Sequence, residues 1–152
     1  MSQLKEAIAT LAGINVSTTT KTPVVYSIPN ATHSVRGTPA RVIFPMQIAT
    51  PEGQAMQRVS FSNNGTIVIT WVIADLLLFE AVKRGTSIHN ALSELIDYTT
   101  NYIDAIRPKM SLTDNAMIET IDYEWNAYEF PEGTENIYYG CLMTLSIKEI
   151  IE

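Results

Sequence analysis

The sequence predicts an α+β domain: an antiparallel sheet of about four to six strands, one long helix packed across it, and a short N-terminal helix. Three observations carry this reading. In SIHNALSELIDYTTNYIDAIRP, residues 87–108, apolar residues recur at spacings of three and four, as one face of a helix requires. In the closing segments, residues 117–127 and 137–147, apolar and polar residues alternate around a PEGTEN turn, as a half-buried hairpin requires. Between the strands expected earlier in the chain, NNG at 63–65 marks a tight turn, with Asn64-Gly65 expected to supply its positive φ angles.

A chain of 152 residues fits a single domain spanning 1–152, and 46% apolar with 17% charged residues suits a folded core rather than a disordered chain. The net charge is −6 with only ten Lys and Arg, which speaks against a face that neutralises nucleic-acid phosphates. The single cysteine, Cys141, excludes an intrachain disulfide and lies in an alternating apolar run, where a buried thiol is expected rather than a nucleophile. The opening MSQLKEAIATL lacks the basic start and continuous apolar core of a signal peptide. The longest apolar stretch, residues 67–82, is interrupted by Thr70, Asp75 and Glu80 and is too short for a membrane span. The expectation is a soluble protein made inside a cell, with the sequon Asn30-Ala31-Thr32 a coincidence.

Taken in order, QLKEAIATLAG puts Leu4, Ala7, Ile8 and Leu11 on one helical stripe, with Gly13 where a C-terminal cap is wanted. Residues 15–39 are rich in Ser, Thr, Pro and Gly and read as an extended arm or loop (15–38), with at most VVYSI as a strand. A connection of this length is either an arm that orders on a partner or a mobile surface loop. ARVIFPMQI, residues 40–48, reads as a strand that Pro45 places at an edge or bulge. PEG at 51–53 marks a turn, and MQRVSFS leads into NNG.

The stretch TWVIADLLLFEAVKRG, residues 70–85, is strand-like in front and rich in helix formers behind. The hairpin turn before it makes the front half β, and the strand is carried to about Phe79. Ile67, Ile69, Trp71, Ile73, Leu77 and Phe79 then share one face, with Val68, Val72, Leu76, Leu78 and Val82 on the other. Both faces need cover. The long helix supplies one, and the N-terminal helix, a second sheet or a neighbouring subunit supplies the other.

In the long helix, Ile88, Ala91, Leu92, Leu95, Ile96, Thr99, Tyr102, Ile103 and Ile106 form the stripe, opposite Glu94, Asp97, Asn101 and Asp104. Thr86 or Ser87 caps its start, and Pro108 ends it. In the final hairpin, Met117, Ile121, Tyr123, Trp125 and Ala127 are expected to face inward with Ile137, Tyr139, Cys141, Met143, Leu145 and Ile147.

No catalytic constellation is legible. His33 and His89 have no second His or Cys at ligand spacing, and Gly-rich phosphate loops are absent, so no metal, cofactor or enzymatic activity is expected. Glu119, Asp122, Glu124, Glu129, Glu132 and Glu135 crowd the last hairpin. They form either the solvated face of an edge, which the alternation favours, or an acidic surface for a basic partner or a divalent cation. The candidate interface residues are Val24, Val25, Tyr26 and Ile28 in the arm, with Tyr128 and Tyr138 on the polar side of the hairpin.

Trp71, Ile73, Asp75, Leu77 and Leu78, followed by Gly85 and the helix ALSELIDYTTNYIDAI, resemble the pattern of small neck and tail proteins of long-tailed bacteriophages. The closing Y-E-W, turn and YYGCLMTLSIKE are similar to the last hairpin of phage tail terminator and tail-completion proteins, and PARVIFP fits an early strand of that group. The likeness covers residues 39 to 150 and leaves the preceding arm unmatched. It implies a virion protein made in the host cytoplasm, a subunit of a ring that is commonly six-fold. Such a ring caps the tail tube, contacts the tube protein and the head connector protein, and lets DNA pass through its lumen without specific binding. A stacking tail-tube subunit and a small soluble adaptor or ligand-binding module are the alternatives.

Overall fold

The computed structural model describes residues 3–19, 21–27, 35, 37–45, 58–131 and 133–152. Its elements are α1 (Leu4–Ala12), β1 (Val24–Tyr26), β2 (Ala40–Pro45), β3 (Arg58–Phe61), β4 (Ile67–Ala81), α2 (Ile88–Ile106), β5 (Ala116–Glu129) and β6 (Ile137–Ile151). The strands form one six-stranded sheet in the order β1-β2-β4-β6-β5, with β3 joined to β4. Every pairing is antiparallel except the short parallel contact of β1 with β2. Along one side of β4, β3 pairs with Ile67–Thr70 and β2 with Ile73–Leu78. The class is the α+β one that the sequence predicts.

β4 continues to Ala81 rather than stopping near Phe79, because β6 pairs with it to the end through a bulge between Leu78 and Glu80. The β6 ladder, joined on the other side by β2 as far as Leu78, overrides the helix propensity of LLLFEA. Opposite the bulge lies Gly140, where a Cβ would come within 2.0 Å of the Leu77 carbonyl oxygen. Only glycine admits that approach. At the β3–β4 turn the expected pair of positive φ angles is not found. Gly65 alone takes one, 86°. Its N–H bonds the Ser62 carbonyl at 3.2 Å, while the Asn64 side chain accepts from the Thr66 N–H and the Ser62 hydroxyl. Asn64 therefore spends its amide oxygen bracing the turn and has no need of the left-handed region.

Both helices lie on the same face of the sheet. Ala7, Ile8 and Leu11 of α1 join Ala91, Leu95, Tyr98, Tyr102 and Ile106 of α2 over Ile43, Ile73, Leu77, Met143, Leu145 and Ile147. The N-terminal helix thus cannot cover the second face of β4. That face is packed by Val35 and by side chains of the sheet itself, among them Tyr26, Phe44, Tyr128, Tyr138 and Leu142, around Ala40, Val42, Leu76 and Leu78.

Three further expectations are corrected. The buried stripe of α2 is turned toward Tyr98, while Ile96 and Ile103 fall at its border and stay exposed. Gly13 ends α1 with right-handed angles, φ −77° and ψ −10°. A left-handed cap is unnecessary there because a side chain from β2 takes up the free carbonyls. In β5 the pairing slips between Ile118 and Thr120, so Ile118 turns inward and Met117 outward, against the strict alternation.

Residues 14–19, the start of the Ser/Thr-rich segment, lie along α2. Ile14, Val16 and Thr18 are buried. Asn101 donates to the Ser17 carbonyl at 3.0 Å, and Glu94 and Asp97 accept from the Thr19 N–H and hydroxyl. The polar side of α2 thus holds this strap as well as facing solvent.

Candidate assembly surfaces

Between β2, β4 and the helices lies a closed polar centre. Arg41 and Asp75 are 1% and 0% exposed. The Arg41 Nε donates to both Asp75 oxygens at 2.9 and 3.0 Å, and Nη2 donates to Oδ2 at 2.6 Å. Nη1 and Nη2 also reach the Ile14 and Leu11 carbonyls at 2.7 and 3.2 Å, so the guanidinium caps the C-terminal end of α1. The Tyr102 hydroxyl donates to Asp75 Oδ2 at 2.7 Å, and its ring lies 5.6 Å from the guanidinium carbon. Burial alone would lower the Arg41 pKa; the Asp75 carboxylate outweighs it, and the guanidinium is held more firmly charged than usual.

Burial, followed by the charge of Asp75, pushes the Tyr98 and Tyr102 hydroxyls well above the ordinary tyrosine value. Every charged donor and acceptor here faces a partner inside the chain, and solvent does not reach it. The arrangement holds α1, β2, β4 and α2 together, and it lacks the open approach that chemistry needs. No local pattern announces this centre; its signal in the sequence is one Asp in an apolar strand and one Arg in another, opposite in sign.

A second buried carboxylate sits at the other end of α1. Glu149 of β6 accepts from the Gln3 N–H at 2.9 Å and from the Trp71 indole at 3.1 Å. α1 is therefore held between an anion at its N-terminal end and a cation at its C-terminal end, the order its dipole favours. Cys141 is buried with its Sγ 3.6 Å from the Thr99 hydroxyl, and burial pushes its thiol up to about 11. Among the described residues no group of three or more His, Cys, Asp or Glu is placed to hold a metal ion.

The candidate interface residues divide. Tyr26, Tyr128 and Tyr138 converge on the outer face, the one without helices, where Tyr128 and Tyr138 are direct cross-strand partners. The Tyr128 hydroxyl donates to the Glu124 carbonyl, and burial followed by the Glu124 charge raises its pKa. Val24 is exposed on the edge strand β1, whereas Val25 packs against the helix-side core; Ile28 lies outside the described residues.

The acidic set divides as well. Asp122 and Glu124 project from the outer face of β5, and Glu119 stands 3.8 Å from Lys148 in an exposed pair of little energetic weight. Glu129 instead accepts from the Glu135 N–H and braces the turn. Glu132 lies outside the described residues.

Among the described residues, two apolar surfaces stand out at the sheet's opposite edges. At the β3–β4 corner, Phe61 and Val59 are 78% and 50% exposed on the helix side of the sheet, with Ile150 exposed on the outer side. On the opposite edge, a groove of about 330 Å³ opens between the end of α2 and β5, lined by Ile103, Ile106, Met110, Ile118, Ile121 and Tyr123. Next to its lining residue Tyr123, the Trp125 indole donates to the Thr99 hydroxyl at 2.9 Å and ties β5 to α2. No helix among the described residues is long and apolar enough to cross a membrane. No family model and no curated protein matches the chain.

Proposed function

We propose that this chain is a structural subunit that assembles with copies of itself into a closed ring, in the manner its resemblance to phage tail terminators implies, and that it performs no catalysis. One observation carries the reading: two unlike apolar surfaces lie on opposite edges of one sheet. A two-fold dimer uses one self-complementary patch. A ring uses two different patches joined head to tail and closed by rotation.

In this reading the ring caps a tail tube and meets a head connector, and the carboxylates of the outer face give the lumen the sign of DNA. Like charge lets DNA pass without sticking. The buried centre supports a structural role too, since its charges are spent on holding elements together.

Native mass spectrometry with negative-stain imaging, across protein concentration, tests this. Closed particles at a fixed multiple of 16.9 kDa are expected. Open tubes point to a stacking tube subunit, and a monomer at every concentration to an adaptor module; either would overturn the ring.

A further inference from the structure

Resting on that ring reading, we infer that the two open apolar surfaces are each other's partner: the β3–β4 corner of one copy seats on the α2–β5 groove of the next. Strand β3 then lies along the free edge of β5 and continues the sheet from copy to copy.

Three features fit together. First, both edges are open. Among the described strands β3 pairs only with β4, and β5, whose far edge is taken by residues 110–112 only as far as Ile118, is open from Glu119 on, so each offers backbone donors and acceptors.

Second, the faces match. Phe61 and Val59 pair with Ile67 and Ile69, whose side of the sheet is the one that carries α1 and α2. The groove opens on that same side, between α2 and the residues Ile121 and Tyr123 of β5. A β3 strand added to β5 in the plane of the sheet brings Phe61 and Val59 to the groove mouth, against Ile103 and Tyr123. A single pairing buries apolar residues that each copy leaves exposed.

Third, the charges match on the other side. Residues 58–66 carry Arg58 and no carboxylate, while β5 carries Glu119, Asp122, Glu124 and Glu129 and neither Lys nor Arg. Arg58 shares its face of β3 with Ser60, the outer face, and there it meets the side of β5 that presents Asp122 and Glu124. Two copies of β3, or two of β5, brought edge to edge would set like charges side by side. The edges thus select the unlike pairing, the one that propagates around a ring.

The test uses Phe61→Asp, which spoils the projecting surface, and Ile103→Lys, which spoils the groove. Both positions are exposed, and a cation suits the last turns of α2, so both variants fold; circular dichroism against wild type checks this. Each variant alone is expected to lose the ring and run as a monomer. Mixed in equal amounts they retain one intact junction, the Phe61 corner of Ile103→Lys on the groove of Phe61→Asp. The mixture is expected to give a species of twice 16.9 kDa that grows no further.

If the wild type forms rings and either variant does too, the contact is overturned while the ring stands. If both variants are monomeric and their mixture stays monomeric, the two surfaces are not partners. A wild type that never assembles overturns the ring itself.

Discussion

The centre and the start of β4 are the same strand, drawn from the same residue types, and they end in opposite surroundings. From Val72 to Leu78 every residue is buried, while Ile67 to Trp71 are only half covered and their partners Val59 and Phe61 stand in solvent. The cause is length. A helix rises about 1.5 Å per residue and a strand about 3.3 Å, so the 19 residues of α2 span roughly 28 Å and the 15 of β4 roughly 50 Å. A helix laid on such a sheet covers its middle and leaves an end bare. Apolar patterning therefore says that a strand wants cover, and element lengths say which part of it finds cover within the chain.

Substitutions at the two places sharpen this contrast. The largest effect is expected at Asp75. Asp75→Ala leaves Arg41 buried without its counter-ion and should cost about 3–5 kcal/mol in urea unfolding. Adding Arg41→Met should recover much of that loss, which a purely steric defect would not allow. Gly140→Ala comes next: its Cβ meets the backbone of Leu77 at 2.0 Å, and forcing the two strands apart should cost at least about 1–3 kcal/mol.

Alkaline pH probes the same interior. Cys141 is raised from 9.0 to about 11, and Tyr98 and Tyr102 well above 10.0, so the folded state holds protons that the unfolded chain releases. Their contribution is complete below pH 9, falls as pH rises through 9 to 11, and falls further as the tyrosines of the unfolded chain ionise above 10. Equilibrium unfolding between pH 8 and 11 should show this decline, reduced in Tyr98→Phe. At pH 8 that variant should be as stable as wild type or slightly more so, because the Tyr98 hydroxyl is buried with no hydrogen-bond partner among the described residues. Phe61→Asp, at the bare end, should change monomer stability by no more than about 0.5 kcal/mol. A large loss there would mean that the corner is covered within the chain and would remove the contrast.

The sequence made the elements legible where one period ran unbroken. α2 and β6 follow spacings of 3.6 and two, and their inward residues were read almost in full. Reading failed where a local device reset the period or where two distant residues needed each other. The slip after Ile118 exchanges the sides of Met117 and Ile118, and no periodicity announces a bulge. Arg41 and Asp75 are 34 residues apart, and each alone reads as an interruption of an apolar run. The interface candidates show the same limit. Tyr26 and Tyr138 share one face only because β2 and β4 lie between their strands, whereas the groove is shared by α2 and β5, which no local pattern joins.

The anchoring of α1 sets the order in which a newly made chain can finish. A nine-residue helix is too short to persist in water by itself. Its N-terminal anchor, the bond from Gln3 to Glu149, joins residues 146 positions apart. At a synthesis rate of about 5–20 residues per second, Gln3 is made roughly 7 to 30 seconds before Glu149. The Arg41 end of α1 can dock much sooner than the Glu149 end. On the ribosome, α1 thus emerges well before β6, and its N-terminal end is secured only once β6 has followed.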